Sequence, residues 1–188
     1  MTLNQVRILK IMNPCLVLLL AMLMAGCAQK ITAINTDQDK KLDTLMGYLL
    51  ISIDTNSKLD SISIDGDSDF IFTEENLQPG SNFIIAEIPA GAYSFERIKL
   101  NRYYYYSLTD GIWNFTVEAG KINYIGNFNI EIKFFGSKML LENQSSEALR
   151  YIEAKFPNIY QSRELVYSGP GNDDFFSFAR EMTKEKSE

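Results

Sequence analysis

Few side chains in this sequence can do chemistry, and they are poorly grouped. His is absent from the 188 residues, and the only two Cys are Cys15 and Cys27. Without imidazole there is no Ser-His-Asp or Cys-His catalysis and no His-ligated metal. The best-spaced oxygen ligands are in Asp65-Gly66-Asp67-Ser68-Asp69, where three carboxylates alternate along a short loop. Such a set suits Ca²⁺, which takes many oxygen ligands. The loop departs from the EF-hand pattern, because the sixth position falls on Phe70 and the twelfth on Asn76 where that pattern needs Gly and Glu. Asp65, Asp67 and Asp69 are therefore weak metal candidates beside the plainer reading of an acidic hairpin turn, and no cofactor is expected.

Tyr103 to Tyr106 with Trp113 make a second candidate. Aromatic rings stack on apolar sugar faces while their polar tips form hydrogen bonds, so this set could bind glycan. The plainer reading is a strand that places two tyrosines on each face, one pair packed and the other at the surface. Glu74, Glu75, Glu87 and Glu118 permit a carboxylate pair of the glycosidase type, but no spacing singles out such a pair among 24 acids. There is no Ser-x-x-Lys motif, and the members of Ser57-Lys58 and Ser137-Lys138 point to opposite faces of an extended chain. No Gly-rich phosphate loop occurs. The expectation is a chain without catalytic residues. Its 18 Lys and Arg against 24 Asp and Glu give a formal charge of −6, which argues against nucleic acid as a partner.

The elements that must position these residues are mostly strands. Leu49, Ile51 and Ile53 share one face of an alternating run, as do Ile62 with Ile64 and Phe70 with Phe72. Trp113, Phe115 and Val117 alternate with Asn114 and Thr116. The longest run, Ile122 to Phe134, predicts a central strand. Its even apolar positions should face the core, with Asn127, Asn129, Glu131 and Lys133 facing water and a bend or bulge at Gly126. The phase slips between Phe95 and Ile98, which predicts a β-bulge at Glu96-Arg97. Turn signals at Asp65-Gly66-Asp67, Gln78-Pro79-Gly80, Pro89-Ala90-Gly91, Thr109-Asp110-Gly111 and Glu118-Ala119-Gly120 separate the runs. This pattern predicts a mostly β protein, an antiparallel β-sandwich. One or two short C-terminal helices should follow. Ala148, Leu149, Ile152 and Phe156 have helical spacing, with Ser145 as a start signal and Pro157 as a stop. Phe175, Phe178, Ala179 and Met182 form a second helical face behind Asp173, and Leu165-Val166-Tyr167 reads as a strand between the helices.

The first residues read as a leader. Arg7 and Lys10 precede an uncharged run, Ile11 to Ala25, too short for a membrane span of about 20 residues. Leu23-Met24-Ala25-Gly26-Cys27 resembles the lipobox of bacterial lipoproteins. In that family signal peptidase II cuts before the Cys, whose thiol carries diacylglycerol and whose amino group is usually acylated. The resemblance implies a signal peptide over 1–26, lipidation at Cys27 and a membrane anchor in the cell envelope. Each acyl CH₂ contributes about 0.8 kcal/mol of membrane affinity, so two or three chains hold a protein firmly. Ala28 in place of Asp after the Cys resembles outer-membrane cargo facing the periplasm. The mature chain would have 162 residues (188 − 26), a charge of −8 (16 − 24) and no disulfide. Residues 27–45 read as the lipidated Cys and a polar tether, and 46–184 as the sandwich with its helices.

Ile88-Pro89-Ala90-Gly91-Ala92-Tyr93 and Val117-Glu118-Ala119-Gly120-Lys121-Ile122-Asn123-Tyr124-Ile125-Gly126 are similar to landmarks of small bacterial lipoproteins of unknown function. Those proteins carry a carboxypeptidase-regulatory-like, or transthyretin-like, β-sandwich. The resemblance covers roughly residues 45 to 135 and implies the fold, with no catalytic residues to carry over. The functional expectation is a lipid-anchored, non-catalytic envelope protein that binds a protein or another envelope component. A glycan-binding or glycan-cleaving module at the cell wall is the alternative.

Overall fold

The alternating runs become strands, in chain order β1 (Gln29–Lys30), β2 (Met46–Thr55), β3 (Ser61–Gly66), β4 (Phe70–Thr73), β5 (Gly80–Pro89), β6 (Gly91–Lys99), β7 (Tyr105–Ser107), β8 (Asn114–Val117), β9 (Ile122–Glu131), β10 (Lys138–Glu142) and β11 (Leu165–Tyr167). The structure is a computed structural model that describes residues 28–39, 42–109 and 111–185. The leader and Cys27 lie outside the described residues. The first sheet has the order β1-β4-β3-β6-β7 with β8 also on β6, and the second β10-β9-β2-β5 with β11 also on β9. The two sheets pack face to face as the expected sandwich. Both sheets are mixed, because β1–β4, β2–β9 and β9–β11 pair in parallel. Local turns favour antiparallel hairpins, whereas these three pairs join strands that are distant in sequence.

The second sheet is buried on both sides. Leu49, Ile51, Ile53, Phe128 and Ile130 meet Ile62, Phe72, Phe95 and Phe115 of the first sheet. On the other face Tyr48, Leu50, Ile122 and Tyr124 meet Ala148 and Ile152 of a helix and Phe156, which follows it. The result is three layers: sheet, sheet, helices. The bulge predicted at Glu96-Arg97 is present, since Ser63 pairs with Arg97 and Ile64 with Phe95, leaving Glu96 over.

The longest run is corrected in three ways. β9 ends at Glu131, and Phe134 is exposed. The bulge expected at Gly126 is present, since Leu50 pairs with Tyr124 but Ser52 with Asn127. Gly126 absorbs it at φ +117°, where a Cβ would also lie 3.0 Å from the Glu142 carbonyl oxygen. The phase therefore flips, so that Ile122 and Tyr124 face the helices but Phe128 and Ile130 face the first sheet. Asn127, expected in water, is buried and donates to Asp54 at 2.8 Å.

Helix α1 (Ser145–Lys155) buries Ala148 and Ile152 as its spacing requires. It ends at Lys155, just before the predicted stop at Pro157, and Pro157 then opens a further short helix, α2 (Pro157–Ser162), at its first position, where a missing N–H costs nothing. Helix α3 (Phe175–Glu185) packs through Phe176, which meets Tyr124 edge-on, whereas Phe178 and Met182 are exposed. Of the apolar face read from its spacing, Phe175 packs against the core and Ala179 is half-buried, while Phe178 and Met182 stay in water.

Asp173 joins the starts of α1 and α3. Its carboxylate accepts from Ser145 Oγ at 2.5 Å, Asn143 Nδ2 at 2.8 Å and the Phe175 N–H at 2.9 Å. Ser145 is therefore engaged here and does not act as the helix cap. Partial burial pushes the carboxyl up, but these hydrogen bonds outweigh it and hold Asp173 below the usual range. A depressed folded-state pKa stabilises fully above the unfolded value, about 3.9, and is lost as pH falls through the folded one. Asp173→Ala should cost about 1–2 kcal/mol at neutral pH, as loss of a helix-start acceptor does. Urea titrations across the acid range should show that difference shrinking below about pH 4; a constant difference would contradict the assignment.

The described part of the expected tether is instead a strap bound to the domain. β1 adds to β4, Ile31 enters the core, and the Ile34 N–H donates to the Ile85 carbonyl oxygen of β5. Asp37 then accepts from the Asn158 and Ile159 N–H groups at the start of α2, at 2.9 and 3.0 Å. Asp39 takes Arg163 in two bonds of 2.9 and 3.2 Å and accepts from the Tyr48 hydroxyl at 3.3 Å. Burial first, and the Asp39 carboxylate second, push the Tyr48 hydroxyl up to about 12. Asp37 and Asp39, expected in the polar tether, thus have fixed partners far along the chain.

Candidate functional site

The candidate site is an exposed aromatic edge where the two sheets meet. It starts from the end of β6. Asn101 Oδ1 accepts from the Tyr103 and Tyr104 N–H groups at 2.9 and 3.2 Å, and the Leu100 N–H donates to the Tyr104 carbonyl oxygen at 2.9 Å. This turn returns the chain as β7, with Tyr105 opposite Lys99 and Tyr106 opposite Ile98. The tyrosines do not divide between two faces. Tyr103, Tyr104 and Tyr105 are 79%, 69% and 60% exposed, and Tyr106 is also at the surface. Two of the four lie in the turn, and β7 is a short edge strand. Trp113 is not part of the platform; it is buried in the core, its ring centroid 5.4 Å from that of Phe128.

The other half comes from the β9–β10 hairpin, which the alternation had placed partly in the core. Phe134 and Phe135 are 94% and 84% exposed, with their rings edge-on at 4.7 Å. Gly136 makes the turn at φ +68°, a conformation that favours glycine. Asn56 clamps the hairpin's base, accepting from the Ile132 N–H at 2.8 Å and donating to the Ile132 carbonyl oxygen at 3.1 Å. A 2.8 Å hydrogen bond between Tyr106 Oη and Ser137 Oγ brings the two aromatic segments to a common edge. The Arg97 guanidinium lies 5.1 Å over the Tyr105 ring. Of the cations near this edge, Arg97, Lys99 and Lys133 pair with Glu96, Asp60 and Glu131 at 3.2, 2.9 and 2.9 Å, and Arg102 and Lys138 lie beside them. Sequence reasoning missed Phe134 and Phe135 as surface residues. The available signal was two adjacent aromatics between Lys133 and Gly136.

The other candidates are not brought together. Asp67 accepts from the Ala92 N–H at 3.2 Å, while Asp65 and Asp69 line a separate shallow cleft of about 270 Å³ with Ala28 and Glu96. Among the described residues no three His, Cys, Asp or Glu side chains are grouped to hold a metal. Glu74 pairs with Lys58, Glu75 with Lys30 and Glu118 with Lys121, so these acids serve separate surface ion pairs. Glu87 lines a cleft of about 320 Å³ beneath the strap, with Thr32, Phe70 and Ile88. Among the described residues no helix is long and apolar enough to cross a membrane.

The two motif segments have structural work. The Tyr93 hydroxyl donates to the Pro89 carbonyl oxygen at 2.9 Å and so closes the β5–β6 turn. Gly120, at φ +74°, donates its N–H to the Met46 carbonyl oxygen at 2.8 Å. Compared with family models, curated proteins and solved structures, the chain finds no match.

Proposed function

We propose that this chain is a lipid-anchored, non-catalytic protein of the cell envelope, held at the outer membrane through Cys27, that binds an envelope component through its aromatic edge. The observation that carries the reading is the edge itself. Tyr103 to Tyr106, Phe134 and Phe135 stand in water on a backbone pinned by Asn101, Asn56 and Ser137. Contiguous exposed apolar surface of this kind marks an interaction site. The Ala25-Gly26-Cys27 sequence supports the anchor, as does the resemblance of 88–93 and 117–126 to small envelope lipoproteins.

Two measurements test this. Mass spectrometry of the membrane-bound protein should find Cys27 as the acylated first residue; an intact Met1 terminus would overturn the anchor. A photo-crosslinking side chain at Tyr104 should capture an envelope component in living cells, and one at Asn158 should not. Equal capture from both positions would overturn the edge as the binding site. The tyrosines also favour a second reading, a glycan-binding module, since their rings offer stacking faces and hydroxyl tips. Retention on peptidoglycan that is lost in Tyr103→Ala/Tyr104→Ala would select it.

A further inference from the structure

We propose that residues 28–39 are a releasable strap, which peels from the domain and redocks while both sheets and the helices stay folded. Released, it turns a close membrane anchor into a leash. The leash rests on the reading of lipid at Cys27; the release does not. Three observations carry the proposal.

The first is how little the strap buries. Of residues 28–39 only Ile31 is fully buried, and β1 is a parallel pairing of two residues on β4. Lys30 meets Glu75 at 2.7 Å, but both side chains are exposed, and exposed ion pairs add little. Segments with few buried contacts open at far less cost than the whole fold. The second is that the domain keeps its own pairing without the strap. β4 retains four residue pairs with β3, and β5 retains ten with β2. Arg163, when Asp39 leaves it, still donates to the Gly120 carbonyl oxygen at 3.3 Å.

The third is the order of the fastenings. Going from Cys27 into the chain, the Gln29, Ile31 and Ile34 N–H groups donate in turn to the carbonyl oxygens of Asp69, Ile71 and Ile85 at 2.8, 2.9 and 2.8 Å. Asp37 on the start of α2 and Asp39 on Arg163 come last. A pull at the lipid-bearing end therefore meets these ties one at a time and peels the strap, instead of loading them all together. The Asp39–Arg163 pair is sheltered, its side chains only 24% and 17% exposed, and charge-assisted bonds are the stronger kind. The far end is thus the stop. Docked, Gln29 stands two residues from Cys27, about 7 Å of chain. Released, residues 28–39 extend to about 40 Å, so one domain can work against the bilayer or well away from it.

The test uses the full chain, purified from membranes and reconstituted in vesicles of phosphatidylethanolamine and phosphatidylglycerol. Hydrogen exchange should find the Ile31 and Ile34 amides about 100-fold faster than the core amides of β2 and β9. Low urea should speed the core amides and leave the strap amides nearly unchanged, because local opening exposes little surface. Strap and core amides that share one rate and one urea dependence overturn the release and make the strap a permanent clasp. A second measurement reads the leash. Glu153→Cys on α1 takes a donor dye, and labelled headgroups are the acceptor. Energy transfer should divide into a near and a far population. Asp37→Ala with Asp39→Ala should enlarge the far one about tenfold, and Glu75→Ala should change it less than about threefold. A single population that the double variant leaves unchanged overturns the leash. Mass spectrometry of the same sample separates the two readings. Unmodified Cys27 with independent strap exchange removes the anchor and the leash and keeps the release, whereas acylated Cys27 with strap and core exchanging together keeps only the anchor.

Discussion

Phe128→Ala should destabilise the protein by about 3–5 kcal/mol. Phe128 is fully buried between the sheets, with Phe95 at 4.9 Å and Trp113 at 5.4 Å between ring centroids. It sits on β9, with β2 on one side and β10 on the other. Truncation removes the ring's burial and leaves a cavity that two paired sheets cannot close without breaking register. For a chain of this length each kcal/mol moves the melting temperature by roughly 2–4 °C, so the loss should be plain in a thermal scan. Asn129→Ala, at the next position, should cost under about 1 kcal/mol, as substitutions away from the core do. Equal costs at the two positions would mean that the side chains after Gly126 do not face as described.

Asn123→Leu should be comparably damaging, although it exchanges a polar side chain for an apolar one of similar size in a buried place. Asn123 accepts from the Glu118 N–H at 2.9 Å and from Ser168 Oγ at 3.1 Å. It also donates toward the carbonyl oxygens of Glu118, Tyr48 and Lys121 at 3.0, 3.2 and 3.2 Å. Each buried group stranded by the change costs about 1–3 kcal/mol. The turn so held is also the one whose Gly120 N–H meets Met46 and whose Lys121 carbonyl oxygen accepts from the Tyr48 N–H. Loss of Asn123 should therefore loosen the start of β2 as well. Urea unfolding measures the total, and hydrogen exchange at Glu118 and Tyr48 should rise together. Ser168→Ala, which removes one partner, should cost about 1 kcal/mol. A near-neutral Asn123→Leu would show that water replaces the side chain.

Much of the fold was legible because alternation is a local signal. Trp113, Phe115 and Val117 are buried, with Asn114 and Thr116 exposed between them. The slip at Glu96 was readable because strands on both sides of it kept their phase. The bulge beside Gly126 was harder. The glycine pointed to an irregularity, but Ile122 and Tyr124 stay on even positions and so look continuous with Phe128 and Ile130. Only the register against β2 shows that the two pairs face opposite layers. Asn127 read as wet because it is polar, yet it and Asn123 are buried with partners drawn from strands distant in sequence.

The amino-acid order by itself determined a two-sheet β fold followed by short helices, and the positions of most turns, because side-chain period and Gly/Pro placement act over a few residues. It also bears the Ala25-Gly26-Cys27 pattern, a purely local signal. Tertiary structure alone decided which apolar residues stay in water. Phe134 and the tyrosines have strand-like or core-like identities, but β7 is a short edge strand and Phe134 lies beyond the end of β9 at Glu131, so both stay exposed. It also decided that Asp37 and Asp39 bind the strap, since their partners at Asn158, Ile159 and Arg163 lie more than 100 residues further along the chain. Burial and pairing depend on what arrives from elsewhere in the chain, and no local pattern carries that information.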